Sequence, residues 1–129
     1  MSKGRVLVIE DNRDIRESVH LLLEQDGFEV ITAKDCSEAF NYLAKQSPDL
    51  ILTDLMMPEM TGLELIHRLR RVSNFDRIPI IAMSAYDPTY LAAAVGAGAE
   101  TALHKPEDMD SLVKTVNEVL ARKYRGQAA

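Results

Sequence analysis

The feature that most constrains this chain is a fivefold alternation between two hydrophobic periods. Five short, mostly apolar runs, Val6–Ile9, Phe28–Ala33, Leu50–Thr53, Ile78–Ser84 and Thr101–His104, read as buried strands. The second run alternates more than the others, which marks it as an edge strand. Pro79 is tolerable in the fourth run only because it stands near the start. Between the runs lie amphipathic stretches with helical spacing. Ile15, Val19, Leu22 and Leu23 form one face closed by Gly27, and Asp35 with Glu38 has capping-box spacing ahead of Ala39, Phe40 and Leu43. Thr61 with Glu64 caps the next stretch, carrying Leu65, Ile66 and Leu69. Asp87-Pro88 opens a helix with Tyr90, Leu91 and Val95, and the last helix carries Leu112, Val113, Val116, Val119 and Leu120.

A βαβαβαβαβα order predicts an α/β fold, a parallel sheet with helices on both faces. Right-handed crossovers leave few topologies, and the five-stranded doubly wound solution has strand order 2-1-3-4-5. At 129 residues the chain is read as one domain over 1–129, with 123–129 as a short C-terminal tail. A composition of 47% hydrophobic and 27% charged residues belongs to a globular protein. No apolar run approaches the ~18 residues of a membrane span, and the stretch after Lys3-Gly4-Arg5 ends in acids, unlike a signal peptide. The single Cys36 excludes an internal disulfide and a cysteine-ligated metal site, so a reducing cytoplasm is the expected compartment. A net charge of −5 argues against direct binding of nucleic acid or anionic lipid. The cations near the end, Arg122, Lys123 and Arg125, suit a helix C-terminus.

Ligands of such sheets bind outside the carboxyl ends of the strands, at the switch point between strands 1 and 3. Glu10 and Asp11 follow strand 1, Asp54 ends strand 3, Ser84 ends strand 4 and Lys105 follows strand 5. Each has an ordinary reading alone: Asp11 as a helix N-cap, Asp54 as a loop acid, Ser84 as a strand-end hydroxyl, Lys105 as a solvated lysine. Together they place three carboxylates, a hydroxyl and an ammonium in one small space. Two like charges ~4 Å apart cost about 4 kcal/mol at an effective dielectric near 20. A hard divalent ion, Mg²⁺ or Mn²⁺, relieves that repulsion and accepts a substrate phosphate. The set therefore suits an incoming phosphoryl group, with one carboxylate as nucleophile.

The segments Val6-Leu7-Val8-Ile9-Glu10-Asp11-Asn12, Pro48 through Gly62 with its Asp54-Leu55-Met56-Met57-Pro58, Ile80-Ile81-Ala82-Met83-Ser84-Ala85, Gly96-Ala97-Gly98-Ala99 and Lys105-Pro106 resemble the receiver domains of two-component signalling. The likeness runs from about Arg5 to Arg122. It implies a flavodoxin-like receiver fold, single-domain and similar to chemotaxis regulators. By that resemblance Asp54 is the phosphoacceptor, charged from a phosphohistidine on a histidine kinase or a histidine phosphotransfer protein. Asp11 binds Mg²⁺ directly, Glu10 mainly through water, and Asp54 and the Met56 backbone carbonyl complete the protein ligands. Ser84 grips a phosphoryl oxygen and Lys105 pairs with the phosphorylated carboxylate. A phosphoryl group brings roughly −1.5 to −2 charge, and drawing Ser84 and Lys105 inward reshapes the helix 4–strand 5–helix 5 face, where a target protein or a second copy is expected.

The sequence departs from the family at Ala102, where an aromatic switch residue usually stands three before the lysine, and at Glu107, in place of an apolar residue. Tyr86 is a candidate substitute for the missing aromatic. Met56 and Tyr86, each two residues beyond a site residue, are expected to screen the phosphoaspartate from water. Haloacid-dehalogenase-like phosphatases need a second acid where Met56 stands, no G-x-x-x-x-G-K-[ST] loop is present, and the turn after strand 1 is too acidic to cradle a nucleotide phosphate. The expected activity is thus self-phosphorylation with slow autodephosphorylation, not multiple-turnover catalysis. The alternatives are a receiver-like interaction module without phosphorylation, or a receiver belonging to a longer regulator or hybrid kinase.

Overall fold

A computed structural model describes residues 2–57, 60–72, 75–85, 88–105 and 108–128, with the side chains of Pro88 and of 124–128 outside the description. Five parallel strands, β1 (Arg5–Ile9), β2 (Glu29–Ala33), β3 (Leu50–Asp54), β4 (Ile80–Ser84) and β5 (Thr101–His104), form one sheet in the order β2-β1-β3-β4-β5. Helices α1 (Arg13–Gln25), α2 (Cys36–Leu43), α3 (Gly62–Arg71), α4 (Pro88–Ala97) and α5 (Leu112–Ala128) connect or follow them, α5 after a 3-10 turn at Met109–Ser111. The fold is the flavodoxin-like α/β arrangement expected from the alternating pattern.

The central strands are apolar throughout because both faces are covered. Leu7, Ile9, Ile51, Ile80 and Ala82 point to a core shared with Ala39 of α2, Leu65, Ile66 and Leu69 of α3, and Ala94 of α4. The alternate residues, Val6, Val8, Leu50, Leu52, Ile81, Met83 and Leu103, pack against Val19 and Leu23 of α1 and Leu112, Val116, Val119 and Leu120 of α5. Most of these side chains are fully buried, and each Val, Leu, Ile or Met among them contributes about 1.5–3 kcal/mol. β2 stays half-exposed, as its alternating sequence requires of an edge.

Several boundaries differ from the sequence expectation. β4 begins at Ile80, so Pro79 stands just outside the strand and offers its carbonyl to the Ile51 N–H at 2.9 Å. Leu22, Tyr90 and Val95, read as inward-facing, are 43%, 42% and 47% exposed. Only every third or fourth residue of a helix on the sheet can be covered, and neighbours took those places. Residues 123–128, set apart as a tail, continue α5, since nothing between Leu112 and Arg125 breaks a helix. The cap expected at Asp87 lies outside the described residues. Among the described residues, no helix is long and apolar enough to cross a membrane.

Caps set the loop that precedes the site. The Asn12 side chain accepts from the Ile15 N–H at 3.0 Å and caps α1, leaving Asp11 free of that role. Thr61 accepts from Glu64 N–H at 3.2 Å and starts α3. Gly62 then donates to the Leu55 carbonyl at 2.8 Å, and a Cβ here would meet the Asp54 carbonyl oxygen at 2.5 Å and Leu55 Cα at 2.8 Å. α3 is thereby rooted on the backbone of the acid that ends β3. Gly96 is the opposite case, an α4 glycine whose added Cβ meets nothing within 4 Å.

The same substitution at these two glycines has opposite outcomes. Gly62→Ala is expected to lower unfolding stability by about 2–3 kcal/mol, because the contacted atoms are backbone and cannot yield. Gly96→Ala raises stability by about 0.5–1 kcal/mol through helix propensity alone. Urea denaturation of the two variants checks both signs.

Candidate functional site

The carboxyl ends of β1, β3, β4 and β5 deliver the site. Ile9 pairs with Thr53 and Ser84 with His104 in the sheet register, so Glu10, Asp54, Ser84 and Lys105 emerge on one rim. Four of the five expected polar residues are buried there: Glu10 0%, Ser84 0%, Asp54 6% and Lys105 9% exposed. Asp11 is the exposed member. Carboxylate oxygens of Glu10, Asp11 and Asp54 lie within 4.8 Å of one another.

Lys105 is the cation that offsets this cluster. Its Nζ donates to Glu10 Oε1 at 2.6 Å and lies 3.5 Å from Asp54 Oδ2. Burial pushes the Glu10 carboxyl up to about 7, reinforced by hydrogen bonding with the Asp54 carboxylate and opposed by Lys105. Burial is the larger cause, and Lys105 only partly offsets it. A donor set of three converging carboxylates, one retaining its proton until about pH 7, fits a hard divalent cation that would displace that proton.

The backbone around the acids is fixed by residues that the sequence reading passed over. Arg16 in α1 donates from Nη1 to the carbonyls of Glu10 at 2.9 Å and Asp11 at 3.3 Å. A cation in the first turn of a helix opposes the dipole, and that misfit was the available signal. The Asn12 N–H donates to Glu10 Oε2 at 3.3 Å, and the Met56 N–H to Asp54 Oδ1 at 3.3 Å. The Lys105 N–H donates to the Ser84 carbonyl at 2.8 Å. Asp108 brackets His104, accepting its N–H at 2.8 Å through Oδ2 and donating its own N–H to the His104 carbonyl at 2.8 Å. No sequence spacing announced Asp108.

Of the remaining expected residues, Met56 is half-buried. Ala102 packs against the α3–α4 side of the sheet as a methyl group, with no aromatic ring at that position. Tyr86, Pro58, Pro106 and Glu107 lie outside the described residues.

The response regulator receiver domain family model matches residues 6–117. The chain belongs to that family. This receiver domain is 36% identical over 119 residues to response regulator MprA of Mycolicibacterium vanbaalenii, an alignment covering 92% of this chain and 51% of MprA. The chain thus spans about half the length of the curated relatives it matches. Among solved structures it is similar to chemotaxis response regulator CheY4 of Vibrio cholerae, with TM-score 0.83, 33% identity, and coverage of 90% of this chain and 98% of that one. It is also similar to the receiver domain of Francisella response regulator 1452, with TM-score 0.85, 30% identity and coverage of 93% and 98%. Membership places the receiver domain in two-component signalling, as a switch of the phosphorylation type.

The ion pair gives a pH-dependent prediction. Folded Glu10 keeps its proton up to about pH 7, against a reference value of 4.5. Stability from the neutral carboxyl is thus fully present below about 4.5 and lost as pH rises through about 7. Lys105→Met removes the group that lowers the folded value, so Glu10 titrates higher and the loss steepens. The variant is expected to lose about 3 kcal/mol in metal-free buffer at pH 8, and far less at pH 5. Urea titrations at the two pH values measure the difference.

Proposed function

We propose that Asp54 is the phosphoacceptor of this receiver domain, and that a phosphohistidine on a histidine kinase or histidine phosphotransfer protein is the donor. A carboxylate oxygen of Asp54 attacks phosphorus, the P–N bond of the donor breaks, and its electron pair stays on the imidazole nitrogen. The observation that carries this reading is the convergence of Glu10, Asp11 and Asp54 against Lys105 at the rim of a parallel sheet. Asp11, Asp54 and the Met56 carbonyl would hold Mg²⁺ or Mn²⁺, with Glu10 acting through water. The cation supplies charge neutralisation at the phosphoryl oxygens. Ser84 donates to one phosphoryl oxygen. Lys105 exchanges its partner at Glu10 for the more negative phosphorylated Asp54, and the Met56 N–H stays aimed at the acceptor. Movement of Ser84 and Lys105 changes the α4–β5–α5 face, where a downstream protein or a second copy docks.

The domain acts as a self-phosphorylating acceptor that loses its phosphoryl group slowly, not as a turnover enzyme, and it works in the cytoplasm without contacting nucleic acid or membrane itself. It comprises residues 1–129 as one unit. A groove of about 300 Å³ beside α1 is lined by Asp14, Ile15, Ser18, Val19, Leu22, Met109 and Lys105, and it would offer the donor a mostly apolar surface next to that lysine.

Incubation with acetyl phosphate and Mg²⁺ should add one phosphoryl group by intact mass, and the gain should vanish in Asp54→Asn and in EDTA. A chain that gains nothing under any condition would instead be a receiver-like interaction module. The screening role of Met56 and Tyr86 predicts a shorter phosphoryl half-life in Met56→Asn combined with Tyr86→Glu. An unchanged half-life would remove that role from both residues.

A further inference from the structure

Of the three carboxylates that converge at the strand ends, two are held through their side chains. Glu10 accepts from Lys105 Nζ at 2.6 Å and from the Asn12 N–H at 3.3 Å. Asp54 accepts from the Met56 N–H at 3.3 Å, with Lys105 Nζ 3.5 Å away. Asp11 is exposed, and among the described residues no group donates to its carboxylate. Its place against the other two is therefore set by its own backbone.

That backbone is held by Arg16, in the first turn of α1. The Arg16 N–H donates to the Asn12 carbonyl at 2.9 Å, as a helix requires. Its Nη1 turns back to the carbonyls of Glu10 at 2.9 Å and Asp11 at 3.3 Å. Those two carbonyls belong to the peptide groups on either side of the Asp11 Cα, so one guanidinium ties both. Fixing both peptide planes fixes the direction in which the Asp11 side chain leaves the chain.

On charge alone this is a poor place for an arginine. It faces the positive end of the helix dipole, and it stands beside acids that suit a divalent cation. Arg70 shows the same grip without the conflict. In the last turn of α3, where a cation suits the dipole, it donates to the carbonyls of Phe75, Asp76, Ile78 and Gly98. A Cβ at position 98 would stand 2.9 Å from Arg70 Cγ, so that approach requires glycine. Arg70 holds a turn at the opposite end of the strands, whereas Arg16 holds the acids themselves.

We propose that Arg16 is a positioning residue for the divalent cation: by tying the peptide groups that flank Asp11 it aims that carboxylate toward Glu10 and Asp54 and raises metal affinity. This role rests on the cation site proposed for these acids and is independent of which donor charges Asp54.

The sign of the effect separates position from charge. If charge alone mattered, removing a positive group beside a bound cation would tighten metal binding. Freeing the peptide groups of Asp11 weakens it. Mn²⁺ binding to the full chain is read from the electron paramagnetic resonance of the free ion, with circular dichroism confirming that each variant is folded. Arg16→Gln is expected to bind Mn²⁺ at least about tenfold more weakly. Arg16→Lys, which keeps the charge but lacks the fork, should fall between wild type and Arg16→Gln, and it decides the matter if the glutamine variant does not fold. Arg13→Gln removes the same charge from the same helix end, at an exposed side chain paired with Glu17, and should stay within about twofold of wild type. Tighter or unchanged binding in the Arg16 variants, or an equal loss in Arg13→Gln, would overturn the role. Wild-type protein that binds no Mn²⁺ would overturn it together with the cation site.

With acetyl phosphate, the Mg²⁺ concentration for half-maximal phosphoryl uptake should rise in Arg16→Gln by the factor seen with Mn²⁺, with the rate at saturating Mg²⁺ kept within about threefold. A rate loss that saturating Mg²⁺ does not restore would move Arg16 from metal affinity to the transfer step and overturn the assignment. Wild-type protein that binds Mn²⁺ yet takes up no phosphoryl group would sink the phosphoacceptor reading, while the Mn²⁺ affinities still decide Arg16.

Discussion

One ammonium group spans the working rim of this sheet. Lys105 leaves the end of β5, an edge strand, and reaches Glu10 at the end of β1 with β3 and β4 between them. Without that reach, three carboxylates would face one another in a pocket where two of them have almost no contact with water. The rest of the molecule is arranged to make the reach possible: the parallel order brings the strand ends level, Asp108 holds the turn after β5, and Arg16 and Asn12 hold the loop after β1. Burial even so pushes the Glu10 carboxyl up to about 7. An environment left incompletely neutralised is receptive to a divalent ion.

The two faces of the sheet are covered unequally. On one side α1 and α5 bring Val19, Leu23, Leu112, Val116 and Leu120 against the strands. On the other, α3 brings Leu65, Ile66 and Leu69, and α4 brings Ala94 with Leu91 and Ala97 packing in part.

The fold was legible because its signal is periodic and repeated five times. The central strands could be read from continuous apolar runs, and Thr61 and Asp35 announced their helices by side-chain capping. The candidate site was legible because strand order and strand ends together place Glu10, Asp11, Asp54, Ser84 and Lys105. The inward faces of α1 and α4 were harder to read. Leu22 and Leu23 are adjacent and both apolar, so hydrophobicity cannot say which one faces the sheet, and Tyr90 and Val95 sit in a helix with few polar residues to mark its outer side. The supporting contacts left almost no pattern, the misplaced cation of Arg16 apart. Arg16, Asp108 and Arg70 act on backbone carbonyls or amides brought close by folding, and such partners carry no residue identity in a sequence.

That last point has a consequence for how this corner of the molecule can change over generations. Arg70 grips main-chain oxygens at Phe75, Asp76, Ile78 and Gly98. Every amino acid brings a carbonyl, so the three turn residues can be exchanged without depriving the guanidinium of an acceptor. Besides the arginine and the glycine, only Ile78 and Phe75 are held to apolar identities, by their packing on the core. The exposed side of that turn, at Asp76 and Arg77, is therefore free to drift in sequence, and a lineage could remodel that surface for new neighbours without disturbing what lies beneath it.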